Sequence, residues 1–294
     1  MKKLLLAITA LLLLAVGCYH YDTQFEGPYE DGDQPAAFHS AYEILTVEDG
    51  QIHLYHRLFR YNKILANLPP GIEKAAINHA HDRIAYQVPG DNIVIADTAG
   101  LTLAKVNSSA GAQWFDWHPN DRSLCVLTNF QLSIWGDPLT PAATNLSSLF
   151  PLGSSEWEMH CATVTADGSV VVAYRDYAGF SIGYESKIAV IPTVGSIWKV
   201  EVNSYERVQW LRADRSGLHV LYGVSSGFTD PRIWRLDIDD RATVERTKAS
   251  FGALSPQANQ LVTWADGRLE VYNQITDERF YFYTGNIVLT ALDW

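Results

Sequence analysis

Residues 43–55 read Glu43-Ile44-Leu45-Thr46-Val47-Glu48-Asp49-Gly50-Gln51-Ile52-His53-Leu54-Tyr55, and residues 260–272 read Gln260-Leu261-Val262-Thr263-Trp264-Ala265-Asp266-Gly267-Arg268-Leu269-Glu270-Val271-Tyr272. Thr, Asp, Gly and the final Tyr coincide, and the apolar positions keep step. Both stretches alternate apolar and polar side chains on either side of an Asp-Gly pair. A period of two sends alternate side chains to opposite faces of a strand. Asp-Gly supplies two residues that accept the positive φ of a tight turn. Each stretch is therefore a hairpin, and a hairpin recurring near both ends of a chain signals repeats.

The same unit recurs around other turn lengths in Ile84–Asp97, Leu127–Trp135, Val170–Ile191 and Leu218–Ile238. Every hairpin but the first is preceded by a short apolar strand: Ala75–His79, Trp114–His118, Cys161–Thr165, Val208–Leu211 and Phe251–Leu254. The turns that follow fall near residues 81, 120, 167, 214 and 257. Their spacing, roughly 39 to 47 residues, is that of four-stranded propeller blades. Gln113-Trp114 with Asp121-Arg122-Ser123 recurs as Gln209-Trp210 with Asp214-Arg215-Ser216, which supports the register.

The chain ends complete the pattern. The first hairpin, Tyr42 to Arg57, has no leading strand, and Ile287 to Trp294 is a strand with no hairpin after it. Asp293-Trp294 echoes Asp116-Trp117 at the end of an earlier first strand. The last strand is expected to be the innermost strand of the first blade, burying edges that a β-protein must not leave open. The expected fold is all-β: a six-bladed β-propeller, its first blade closed by the C-terminal strand. A β-sandwich is the alternative. Over nearly all of residues 39–294 the chain resembles the WD40 and TolB-type β-propellers. Phe115-Asp116-Trp117-His118-Pro119-Asn120-Asp121 and Ala166-Asp167-Gly168 look like their inner-strand turn.

Ahead of the repeats stand Met1-Lys2-Lys3, an apolar run from Leu4 to Val16, then Gly17 and Cys18. A basic start and an apolar stretch too short to span a bilayer comfortably describe a secretory signal. Leu14-Ala15-Val16-Gly17-Cys18 resembles a bacterial lipobox. The resemblance implies cleavage before Cys18 and lipid on that residue, hence a membrane anchor. An ordinary secretion signal with a chance cysteine is the competing reading. Tyr19 after the cysteine, rather than Asp, favours the outer membrane in enteric-type bacteria. The expected organisation is a signal peptide over 1–17, a lipidated acidic tether over 18–38 and the propeller over 39–294.

The whole chain has 22 Lys plus Arg against 33 Asp plus Glu, a formal net charge of -11. No basic block occurs, which argues against a nucleic-acid partner and a polybasic anchor. With 47% hydrophobic residues the chain is globular rather than disordered.

Long loops on a rigid scaffold tend to carry function. Two are expected on one face, here named the top, between the second and third strands of blades 4 and 5. They span 174–186 and 223–232. With the link into blade 4 they gather Trp157, Arg175, Tyr177, Phe180, Tyr184, Phe228, Asp230 and Arg232. Aromatic and Arg side chains are the usual anchors of interfaces, so these eight are the expected partner-binding residues. Aromatics folded back as caps of the blades are the alternative.

Chemistry is less marked. His79, His81 and His118 fall at matching turns, but spacing fixes no third metal ligand, so solvated turn histidines and no metal are expected. Asp237-Ile238-Asp239-Asp240 lacks the Gly and the later Glu of a calcium loop. Cys125 and Cys161 are expected as buried free thiols between blades. No G-x-S-x-G elbow occurs. The acids expected near the top of the inner strands are Glu73, Glu158 and Glu206.

The sequence thus predicts a membrane-anchored bacterial lipoprotein acting as a protein-binding scaffold or accessory subunit of a cell-envelope complex. Neither enzymatic activity nor a cofactor is expected. A carbohydrate or peptide receptor, and a propeller hydrolase or lactonase, are the alternatives.

Overall fold

The computed structural model describes residues 42–57, 62–128, 131–136, 141–145, 157–176, 185–202, 206–226, 230–283 and 287–294. Cys18, the expected signal and the expected tether lie outside these residues. The strands form six four-stranded antiparallel sheets. Blade 1 contains β1 (Tyr42–Glu48), β2 (Gln51–His56) and β3 (Asn62–Ile64). Blade 2 is β4 (Lys74–Ile77), β5 (Arg83–Gln87), β6 (Val94–Asp97) and β7 (Thr102–Lys105). Blade 3 is β8 (Trp114–Trp117), β9 (Leu124–Thr128), β10 (Gln131–Trp135) and β11 (Pro141–Asn145). Blade 4 is β12 (Trp157–Val164), β13 (Val170–Asp176), β14 (Glu185–Ile191) and β15 (Trp198–Glu201). Blade 5 is β16 (Arg207–Ala213), β17 (His219–Ser225), β18 (Arg232–Asp237) and β19 (Ala242–Thr247). Blade 6 is β20 (Phe251–Leu254), β21 (Gln260–Ala265), β22 (Arg268–Asn273) and β23 (Arg279–Tyr283). The last strand, β24 (Leu289–Asp293), crosses back and pairs with β1, Leu45 opposite Asp293. The ring closes as the sequence predicts.

Local chemistry explains the turns. Asp49 and Gly50 take φ +48° and +79°, and Asp266 and Gly267 take +50° and +74°. These are the paired positive values that make a two-residue turn match the twist of its strands. The turn after each inner strand of blades 2 to 6 also has one form. The amide of His81, Asp121, Gly168, Gly217 or Ala258 donates to the carbonyl three residues earlier at 2.7–3.0 Å, and its own φ is positive. Gly168 and Gly217 fit that left-handed site, whereas Ala258 bears a Cβ there.

The packing explains why the blades exist only together. Alternate side chains of an inner or second strand enter opposite inter-blade layers. Ile44 packs toward blade 6 with Leu269 and Trp294, while its neighbour Leu45 packs toward blade 2 with Ile77 and Ile84. Each of the six junctions between neighbouring blades holds one such buried cluster. Cys125 belongs to the layer between blades 3 and 4, and Cys161 to the layer between blades 4 and 5. Both thiols are buried and free, held above the usual thiol range by burial first and by nearby Asp116 second.

A Cβ on Gly217 (φ +69°) would lie 2.2 Å from the Ala166 backbone nitrogen. Gly217→Ala is therefore expected to lower the thermal midpoint by several degrees. A left-handed L-residue costs about 1–2 kcal/mol and glycine returns about 0.5–1 of that in chain entropy. Ala258→Gly is thus expected to raise the midpoint by about 2 °C. Thermal unfolding followed by circular dichroism checks both signs.

Candidate functional site: the axial funnel

The inner strands β24, β4, β8, β12, β16 and β20 run in the same direction around the axis. The face at their starts is the top. It opens into a cavity of about 370 Å³, lined by residues of all six blades. Glu73 and Lys74 come from blade 2, Gln113 and Trp114 from blade 3, and His160 from blade 4. Gln209 and Trp210 come from blade 5, Phe251 from blade 6 and Thr290 from blade 1.

Three of these side chains are placed by β-bulges. In β12, Met159 pairs with Tyr174 and Cys161 with Ala173, so His160 is the extra residue. In β16, Val208 pairs with Val224 and Trp210 with Gly223, leaving Gln209. In β24, Leu289 pairs with Glu48 and Ala291 with Val47, leaving Thr290. A bulge breaks the alternation and re-aims the extra side chain, here into the funnel. Gly223 makes room for the neighbouring Trp210: a Cβ there would lie 2.2 Å from Trp210 Nε1, which donates to the Ser250 carbonyl at 2.9 Å.

The funnel has a charged floor. Arg212 Nη1 lies 2.7 Å from Asp293 Oδ2 and 3.1 Å from Asp116 Oδ1, and Nη2 donates to the Ala75 carbonyl at 3.2 Å. The guanidinium also stands 5.6 Å from the centroid of the Trp114 ring. Asp293 Oδ2 accepts the Ile77 amide, and Asp116 Oδ2 accepts the Thr163 hydroxyl. One residue of blade 5 thereby gathers blades 1, 2 and 3, and Thr163 joins blade 4. Two buried carboxylates face one guanidinium. Burial holds Asp116 above the usual carboxylate range; Arg212 offsets part of the rise and Asp293 adds to it.

Below the floor, the lower mouth is lined by His79, Asp214, Trp117 and Trp294 among others. His79 is not the solvated turn histidine expected from the sequence. Both its ring nitrogens are shut off from solvent, and burial lowers its affinity for a proton. Burial likewise lowers His118, and takes His81 down to about 4 with His79 and Arg215 adding to the fall. Asp237 is occupied by Arg235 at 2.8 Å and faces His219 at 3.5 Å. Among the described residues no group of three His, Cys, Asp or Glu is placed to hold a metal ion.

The expected partner-binding residues fall around the top rim, where the structure describes them. Arg175, on β13, pairs with Glu158 at 3.3 Å. Arg232, opening β18, reaches Glu206 at 2.7 Å and Glu245 at 3.5 Å. Asp230 pairs with Lys248 at 3.2 Å, both well exposed. Trp157 opens β12. Tyr177, Phe180, Tyr184 and Phe228 lie outside the described residues. Of the three expected acids only Glu73 lines the cavity; Glu158 and Glu206 are each engaged by an arginine. Sequence reading missed the funnel wall. The Gln113-Trp114 and Gln209-Trp210 echo, taken there as a mark of register, is the signal that pointed to it.

No family model matches the chain, and no curated protein matches it by sequence. Solved structures match by shape. TolB from Acinetobacter baumannii aligns with a TM-score of 0.61 and 15% identity, over 87% of this chain and 67% of that one. The tricorn protease aligns at 0.54 and 12%, over 85% of this chain and 34% of that one. The Cps50 (Swd1) propeller domain of Myceliophteria thermophila aligns at 0.51 and 14%, over 84% and 83%. At these identities the likeness is one of fold: the chain is a six-bladed β-propeller similar to the TolB and WD40 propellers.

Removing one partner of a buried ion network strands the rest, at about 3–5 kcal/mol. Arg212→Met is expected to cost that much in denaturant unfolding. Asp116→Asn, which leaves one carboxylate for one guanidinium, is expected to cost clearly less. His81 is neutral in the fold at values where the unfolded chain takes a proton, so its contribution is full above about pH 6.5 and is lost as pH falls toward 4. Asp116, being raised, has the opposite sign, losing its contribution as pH rises. His81→Asn, which suits a left-handed site, is expected to make the acid loss of stability shallower between pH 6.5 and 4.

Proposed function

We propose that this protein is a lipid-anchored component of the bacterial cell envelope that binds another envelope protein through the top face of its propeller. Lipid on Cys18 holds it to the membrane, at the outer membrane by the reading of Tyr19. The polarity of the ring supports this. Leu45 pairs with Asp293 and Glu48 with Leu289, so β1 begins at the bottom face. The described chain therefore enters the ring at the bottom face, opposite the funnel and its rim.

The rim suits a protein partner. Its described charges are paired: Glu158 with Arg175 across β12 and β13, Arg232 with Glu206 and Glu245, and the exposed Asp230 with Lys248. A mosaic of both signs favours specificity and steering over raw affinity. The body itself is acidic, which keeps it from lying on an anionic bilayer.

Extraction of the native lipoprotein in mild detergent, followed by size exclusion and identification of what travels with it, tests this. A stoichiometric envelope protein is expected. Phe180→Ala with Phe228→Ala, and separately Arg175→Ala with Arg232→Ala, are expected to release it, while Cys18→Ser frees the protein from the membrane. A monomer without a companion in cross-linked cells would remove the scaffold reading.

A further inference from the structure

We propose that the upper funnel is a binding site for a neutral saccharide of one or two pyranose rings. The proposal is independent of the protein-binding reading of the rim. Its first support is the three bulges. An inner strand without a bulge would turn His160, Gln209 and Thr290 into the inter-blade layers. Three separate strands instead spend an extra residue to present a polar side chain to the same cavity. Stability does not call for this, since a bulge gives up ladder pairing.

The second support is the wall itself. Gln113, His160, Gln209 and Thr290, from four different blades, line the cavity. Amide, imidazole and hydroxyl side chains together offer both donors and acceptors. A hydroxyl, which both donates and accepts, suits such a mixed lining; a carboxylate or an ammonium answers one kind alone.

Charge points the same way. The two cations at the cavity are committed: Arg212 faces Asp116 and Asp293, and Lys74 Nζ donates to the Ala112 and Gln113 carbonyls at 3.0 and 2.9 Å. Glu73 at the mouth is exposed and repels anions. The remaining polar side chains of the lining are two amides, a hydroxyl and an imidazole. Trp114, Trp210 and Phe251 add aromatic wall against which the C–H face of a sugar ring packs. A volume of about 370 Å³ is that of a small-ligand pocket, holding roughly a dozen waters.

The test is a titration of the full-length lipoprotein in a sugar-free zwitterionic detergent, followed by tryptophan fluorescence and calorimetry. The probes are glucose, galactose, N-acetylglucosamine and maltose, with glucuronate as the anionic arm and acetyl-trialanine amide as the peptide arm. At least one neutral sugar is expected to bind with a Kd of about 1 mM or tighter. Gln209→Ala and Gln113→Leu are each expected to weaken it about tenfold. Arg232→Ala is expected to leave it unchanged, although it weakens capture of a protein partner. Three results overturn the proposal: no neutral sugar binding at about ten times that concentration, tighter binding of glucuronate or the peptide, or sugar binding indifferent to both funnel variants. Thermal midpoints of the variants, measured alongside, separate a lost site from a lost fold.

Discussion

The inner and second strands of this protein are apolar on both faces, and that constraint governs everything else. A hairpin such as β1–β2 buries Ile44 on one side and Leu45 on the other. No single blade can satisfy it. Each needs a neighbour on either side, and only a closed ring gives every blade two. The wedge shape that closes the ring leaves a passage on the axis. The cavity is thus a product of the same packing that stabilises the blades, before any selection for binding.

Arg212 divides that passage. Its guanidinium, held by Asp116 and Asp293, borders both the top funnel and the lower mouth. A fully buried ion network is a poor source of stability against an apolar replacement. Its value here is geometric. It fixes the relative positions of four blades at the level where the funnel ends, and it neutralises a cation that would otherwise attract anions into the site. The relative placement of four blades converges on one side chain.

Much of the fold was legible because it is periodic. Asp49-Gly50 and Asp266-Gly267 announced their turns chemically, and the unpaired strand at Ile287–Trp294 announced the closure. The buried free state of Cys125 and Cys161 was also expected from their place on adjacent blades; Cys125 on the second strand of blade 3 and Cys161 on the inner strand of blade 4 enter different layers. The site was another matter. A bulge adds one residue to a strand without altering its composition, so His160, Gln209 and Thr290 read as ordinary strand positions. Arg212 and Asp116 stand 96 positions apart and meet only because the ring turns the inner strands of blades 5 and 3 toward one axis. The echo of Asp116-Trp117 in Asp293-Trp294 was visible; that both acids hold one arginine was not. His79 misled for a related reason. Its turn lies at the surface of one blade, but the ring places it against the axis, away from water.

The closing strand β24 has a consequence for how the molecule comes into being. Its contacts with β1 join residues separated by most of the chain, so the topology is of high contact order and slow to assemble. Until β24 arrives, blade 1 lacks its innermost strand and two inter-blade layers stand open. β24 follows every other described strand in the chain, so synthesis reaches it after them. Until then the apolar faces on either side of blade 1 stay uncovered, and exposed apolar surface and unpaired strand edges favour association between chains. A chain cut before Leu289 lacks the strand that closes the ring, so the fold itself distinguishes a closed propeller from a truncated one.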